Sequence, residues 1–197
     1  MGGDPLDQVV LDWILSWRTP WVDDLVEVIT HFGDTVVAGV ITVAVVVALR
    51  VRGRSVDAVM VAGAMISGYL LMSGLKLVFA RGRPPRPDRL VDEITHSFPS
   101  GHAMMSAILV CVVGAALVRV MGRRSAVLFV GLALWTLVIG LSRVYLAAHW
   151  LTDVMAGWAL GVAWAALWIR GTARYTRRRE VARVRAAAVV RRSDDTQ

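Results

Sequence analysis

The chain has 197 residues, is 56% hydrophobic and has a mean hydropathy of +0.58, which excludes a soluble domain of this size and places it in a membrane. Its formal charge is +7, carried by 22 basic residues of which Lys76 alone is a lysine. The sequence pI of 10.9 raises the question of nucleic acid, but the arginine-rich end has no aromatic interleaving beyond Tyr175, so no nucleic-acid partner is expected.

In the first thirty-odd residues, Leu6, Val9, Val10, Trp13, Ile14 and Trp17 recur at helical spacing, while Asp7, Asp12, Arg18, Asp23, Asp24 and Glu27 interrupt any spanning run. This predicts an amphipathic helix lying at the interface, anchored by Trp13, Trp17 and Trp21. Asp4 and Asp7 stand where a secretory signal would carry basic charge, so none is expected.

A crossing helix needs about 20 mostly uncharged residues, with about 17 as the lower limit. Thr35 to Leu49 is marginal and needs its flanks; Val56 to Phe79, His102 to Val120, Ala126 to Leu141 with its flanks, and Leu151 to Ile169 complete the set. All are rich in Gly and Ala, which lets transmembrane helices approach closely. The predicted fold class is therefore all-α: an integral membrane helical bundle of about five transmembrane helices plus the interfacial helix. Its expected parts are an N-terminal interfacial segment (1–33), a transmembrane domain (34–170) and a basic tail (171–197). Cys111 has no second cysteine to pair with and lies in an apolar span. Nothing in the pattern speaks to oligomeric state.

Arg50, Arg52 and Arg54 follow the first span, Arg119, Arg123 and Arg124 the third, and a larger cluster the fifth. The positive-inside rule puts these on the cytoplasmic side of the plasma (inner) membrane and the other loops outside. The tail carries Arg174, Arg177, Arg178, Arg179, Arg183, Arg185, Arg191 and Arg192, which would attract anionic inner-leaflet lipids. Arg81, Arg83, Arg86 and Arg89 break the rule by falling outside. For Arg86 and Arg89 the favoured reading is a solvated loop neutralised by Asp88, Asp92 and Glu93, whereas Arg83 stands in a spacing with Lys76 that suggests ligand binding.

His149 and Asp153 are four apart at the start of the last span, on one helical face, so the carboxylate can orient the imidazole as a nucleophile or base. Taken alone, such a pair is also how a buried imidazole is satisfied. Arg143, six residues earlier, would face His149 across a connection within Val144 to Ala148; alone it also reads as a snorkelling arginine. Ser100 stands at the N-cap of the third span, after Pro99, where free N–H groups and the helix dipole make an anion site and Gly101 admits close approach. His102 at its rim is either a proton donor or an interfacial imidazole. Lys76 and Arg83, at the outer end of the second span and the turn after it, can hold the nonbridging oxygens of a phosphoryl group.

Together these stretches resemble the type 2 phosphatidic acid phosphatase, or lipid phosphate phosphatase, superfamily. Lys76, six residues, then Arg83-Pro84; Pro99-Ser100-Gly101-His102; and Ser142-Arg143, five residues, His149, three residues, Asp153 meet its three motifs over roughly Leu75 to Trp158. The resemblance implies that His149 attacks phosphorus to form a phosphohistidine, Asp153 orients it and His102 protonates the leaving oxygen. Lys76, Arg83, Ser100, Gly101 and Arg143 would bind the phosphoryl oxygens, with no metal and no cofactor. Family members commonly have one more N-terminal span than these residues show.

Two other readings compete with this one. A metal-dependent hydrolase using His96, His102, His149 and Asp153 is disfavoured because Lys76, Arg83 and Arg143 would repel a divalent cation, and His96 reads as a loop residue. A catalytically silent lipid-phosphate-binding or lipid-flipping protein has no need of an oriented nucleophile. The expected partner is a lipid phosphate, with phosphatidic acid, phosphatidylglycerol phosphate and polyprenyl diphosphate all suited to a site at helix ends.

Overall fold

A computed structural model describes residues 3–122 and 126–194, so Arg123 and Arg124 lie outside the described residues, as do the side chains of Arg191 and Arg192. Among the described residues the chain forms seven α-helices and one 3₁₀ turn: α1 (Pro5–Trp17), α2 (Pro20–His31), α3 (Thr35–Val51), α4 (Ser55–Phe79), the turn Arg86–Asp88, α5 (Gly101–Met121), α6 (Ala126–Tyr145) and α7 (Leu151–Asp194). Five stretches are long and apolar enough to cross a membrane: Pro20–Val51, Ser55–Phe79, Gly101–Met121, Val127–Tyr145 and Leu151–Ala186. The all-α membrane bundle expected from the sequence is what the chain forms.

The N-terminal region is two helices rather than one. Asp4 caps α1, taking the Leu6 amide at 2.8 Å, and Pro5 opens it; Pro20, which has no N–H to lose, then opens α2 after the extended Arg18. Trp13, Trp17 and Trp21 stay exposed, but α1 also packs inward, with Leu11 against Ala147 and Trp150 and with Val10 and Ile14 beside Val144 and Val154. α3 alone is 17 residues, at the lower limit of a span, and only together with α2 does it make the first candidate crossing.

α5 is the centre of the bundle, packed against α3, α4, α6 and α7, with Met104, Ile108 and Val112 fully buried. Its closest partner is α7, because Gly157 and Gly161 remove the side chains between them. A Cβ at Gly161 would stand 2.6 Å from the Met104 carbonyl oxygen, and one at Gly157 2.8 Å from that of Ser100. At the end of the bundle opposite Ser100, Asp57, in the first turn of α4, accepts from Arg54 Nε at 2.7 Å and Arg119 Nη1 at 2.5 Å, tying α4 to α5. α7 runs unbroken through residue 170 into the arginine-rich stretch, where Arg179 lies 4.8 Å from the centre of the Tyr175 ring.

The connection between the last two helices differs in register from the expected Val144 to Ala148. α6 continues to Tyr145 and the link is 146–150. Ala147 there takes the left-handed conformation at φ 49, which costs about 1 kcal/mol for a residue with a Cβ. Complete burial against Leu11 and Trp150 offsets it. The tight turn lets the Arg143 carbonyl accept from both Ala148 N (3.0 Å) and His149 N (3.2 Å), which seats His149 directly above the end of α6.

Candidate active site

His149 occupies this link, almost wholly enclosed, and its two ring nitrogens face opposite surroundings. Nδ1 lies 3.4 Å from Ser97 Oγ and 3.7 Å from Asp153 Oδ2. Nε2 lies 3.2 Å from Arg83 Nη1. An acceptor set on one side and a guanidinium on the other favour the tautomer with the proton on Nδ1, leaving the Nε2 lone pair toward the cations. At 3.7 Å the expected His–Asp pair is too long for a direct hydrogen bond, and Ser97 fills the gap: its hydroxyl donates a short hydrogen bond to Asp153 Oδ2. The Trp150 amide donates to the same oxygen at 3.1 Å.

Burial drives the His149 imidazole well below its ordinary pKa of 6.5; Asp153 pulls the other way, and the positive charges of Arg83, Arg143 and Lys76 add to the depression. His149 is therefore a neutral base at neutral pH. Arg83, desolvated and close to Arg143 and Arg89 but partly compensated by Glu93, is lowered to about 10 and stays charged.

Lys76, in the last turn of α4, donates to the His96 carbonyl at 2.6 Å. Arg83 donates to the Thr95 carbonyl at 2.8 Å and the Ala148 carbonyl at 2.6 Å. Arg143 reaches Thr30 Oγ1 at 2.9 Å and makes a short hydrogen bond with Glu93, and its buried Nε has no hydrogen-bond partner among the described residues. Glu93 Oε2 is also 3.5 Å from Arg83 Nη2. So Lys76, Arg83 and Arg143 come together around the segment 93–96, and a carboxylate rests between the two guanidinium groups. Read in the sequence as a residue neutralising a solvated loop, Glu93 is instead a direct partner of the site.

Ser100 caps α5 as expected, but it is fully buried, its Oγ accepts from Ala103 N at 3.5 Å, and its amide donates to the Asp153 carbonyl at 3.1 Å. Its hydroxyl thus serves the helix end. Gly101 opens α5, and a Cβ there would meet only Met72 at 3.6 Å, an ordinary contact, so packing within the protein does not demand glycine. His102 Nε2 is 3.0 Å from Asp34 Oδ1, and Asp34 Oδ2 is 3.0 Å from His31 Nδ1. His102 is thereby oriented by the α2–α3 junction.

Sequence reasoning missed Ser97, Glu93, Asp34 and the group formed by buried Asp7 with partly buried Arg81 and Thr152. Arg81 Nη1 meets Asp153 Oδ1 at 2.6 Å and Arg81 Nη2 meets Asp7 Oδ2 at 2.6 Å. Despite its desolvation, the hydrogen bonds of Arg81 to Asp7 and Asp153 raise its pKa above the ordinary value. The one signal for Arg81 was its place among arginines on the wrong side for topology. Asp7 counted only as a charge interrupting a span.

The chain is similar to known proteins in sequence and in fold. The PAP2 superfamily matches residues 57–177. Phosphatidylglycerophosphatase B of Bacillus subtilis is 29% identical over 159 residues, covering 79% of this chain and 78% of that protein. The crystal structure of a transmembrane PAP2-type phosphatidylglycerolphosphate phosphatase from Bacillus subtilis superposes with a TM-score of 0.78 at 27% identity, covering 86% of this chain and 85% of that one. LpxE of Aquifex aeolicus shares the fold, with a TM-score of 0.69 at 19% identity over 86% of this chain and 98% of its own.

Proposed function

This chain belongs to the PAP2 superfamily as a multi-pass membrane phosphatase, and from that premise we propose that it removes the terminal phosphate of a membrane lipid through a phosphohistidine on His149. The observation that carries the proposal is the two-sided setting of His149, with Nδ1 on Ser97 and Asp153 and Nε2 on Arg83.

In this reading His149 Nε2 attacks phosphorus in line with the lipid oxygen. The P–N bond forms as the P–O bond to the lipid breaks, and the departing alkoxide takes a proton from His102. Asp34, 3.0 Å from His102 Nε2, orients the ring for this step. Lys76, Arg83, Arg143 and the α5 N-terminus at Gly101 hold the nonbridging oxygens, and Glu93 leaves Arg143 and Arg83 as the phosphate enters. Water then attacks phosphorus, His102 takes its proton, and inorganic phosphate and free His149 result. Ser100 acts through the helix end it caps.

A lipid suits the surroundings. An apolar groove of about 430 Å³ runs between α3, α4 and α5, lined by Thr35, Ala38, Thr42, Met65, Tyr69 and Met105. It begins beside Asp34 and His102, so a lipid tail can lie in it with the phosphate at the site. Phosphatidylglycerol phosphate is the favoured substrate because the similar Bacillus subtilis enzyme and the similar Bacillus subtilis crystal structure are both named for it, with phosphatidic acid and polyprenyl diphosphate as the alternatives. The site faces the extracytoplasmic side of the plasma membrane, the arginines of the 171–197 tail meet anionic lipids on the other, and of the segment 1–33 only the part before Pro20, helix α1, rides at the interface.

The test is phosphate release by the purified protein from these three lipids, without added metal and with His149→Ala in parallel. Release from phosphatidylglycerol phosphate above the others, lost in His149→Ala, supports the reading. Full release by His149→Ala overturns the mechanism, and a different preferred lipid overturns the substrate.

A further inference from the structure

Three charged groups in a row connect the N-terminal helix to the His149 site. Arg81, in the stretch after α4, uses one arm on Asp153 of α7 and the other on Asp7 of α1, each at 2.6 Å. Asp7 is tied further to the start of α7: its Oδ1 accepts the Thr152 amide at 2.9 Å and its Oδ2 the Thr152 hydroxyl at 2.7 Å. Arg81 Nη1 also reaches Thr152 Oγ1 at 2.7 Å. The Asp7 and Asp153 side chains are 0% exposed and Arg81 18% exposed, so two buried carboxylates share one partly buried guanidinium, an arrangement costly to desolvate.

Two consequences follow for Asp153. Its Oδ1 is held by Arg81 and its Oδ2 by Ser97 and the Trp150 amide, so the carboxylate cannot turn away from His149. A guanidinium paired with Asp153 alone would cancel the charge that His149 needs beside it; sharing Arg81 with Asp7 leaves the triplet at net −1. We propose that Asp7 and Arg81 are positioning residues for the His149–Asp153 pair, so that helix α1 completes the active site from outside the family-matched residues 57–177.

The inference rests on the reading of His149 as nucleophile, and its test has a readout that does not require turnover. The charged and titratable groups around His149 are Asp153 from α7, Lys76 from α4, Arg83 and Arg81 from the stretch after it, Glu93 and the Ser97 hydroxyl from the loop before α5, and Arg143 from α6. His102 of α5 and Asp34 complete the nearby titratable set. With all of these except Arg81 unchanged in both variants, the full-length protein in detergent micelles, carrying ¹⁵N-histidine, is titrated by NMR as wild type, Asp7→Asn and Arg81→Gln.

Asp7→Asn leaves Arg81 to Asp153 and should lower the His149 midpoint; Arg81→Gln strips the counter-charge and should raise it, each by about half a unit to one unit. Simple loosening of the fold would not move the two in opposite directions. In turnover, Asp7→Asn should lower kcat several-fold with KM unchanged, and Asp7→Glu should recover part of it. An unmoved midpoint, or shifts of the same sign, overturns the proposal; if Asp7→Asn does not purify folded, Arg81→Gln alone decides by rising or not. Wild-type phosphate release and its loss in His149→Ala are scored separately, so failure of the phosphatase reading and failure of the positioning role are told apart.

Discussion

His149 Nδ1 and Asp153 Oδ2 stand 3.7 Å apart with the Ser97 hydroxyl between them, donating to the carboxylate and 3.4 Å from the ring. The two are joined through a third side chain rather than by a hydrogen bond of their own. Ser97→Ala should remove one buried hydrogen bond, worth about 0.5–1.5 kcal/mol, and so slow turnover by roughly 2- to 13-fold at unchanged KM. Asp153→Asn, which removes the charge and leaves Arg81 half-paired, should cost considerably more. Steady-state kinetics on both variants decides it; equal rates for Ser97→Ala and wild type would exclude a bridging role.

Glu93 shares its carboxylate between Arg143 and Arg83, where a phosphoryl group would bring the same charge. Its replacement by Gln frees these cations and should strengthen product inhibition by inorganic phosphate about 3- to 10-fold, the effect of a competing charge-assisted hydrogen bond in a partly exposed site. Inhibition curves for Glu93→Gln against wild type measure it, and an unchanged inhibition constant would show that Glu93 does not compete for the clamp.

The depressed His149 pKa fixes the direction of the pH response. The imidazole is neutral in the fold below its ordinary 6.5, so the nucleophile stays available into mildly acidic solution and the acid limb of kcat/KM should lie below pH 6.5. For stability, the unfolded chain binds this proton and the folded chain does not. The contribution is therefore fully present above 6.5 and is lost as pH falls from there toward the folded value. A pH–rate profile and thermal melts in micelles test the two statements, and an acid limb above 6.5 would contradict the first.

Two glycines should separate fold from function. At Gly161 a side chain meets the Met104 carbonyl, a backbone atom that cannot move aside, so Gly161→Leu should force α5 and α7 apart and lower the melting temperature markedly or prevent folding. At Gly101 a Cβ meets only Met72 in ordinary contact, so Gly101→Ala should melt like wild type and yet lose activity if phosphate approaches that backbone. An active Gly101→Ala would remove Gly101 from the site.

The spans, the capped start of α5 and the three motifs were readable in the chain because each depends on neighbours within a few turns. A run of apolar residues, a Ser before a helix, or His149 four residues from Asp153 carries its physical meaning locally. The split of the N-terminal region at Pro20 was less legible, since its charges looked like the polar face of one helix, whereas Asp7 points inward. What only tertiary structure decided are the partners of the motif residues: Ser97 with Asp153, Glu93 with Arg143, Asp34 with His102, and Asp7 with Arg81. These pairs lie 50 to 74 residues apart, and Asp7 reaches Thr152 across 145. A serine, glutamate or aspartate has no local signature that tells a solvated side chain from a buried partner; helix packing supplies the difference by choosing which of them is enclosed beside an opposite charge.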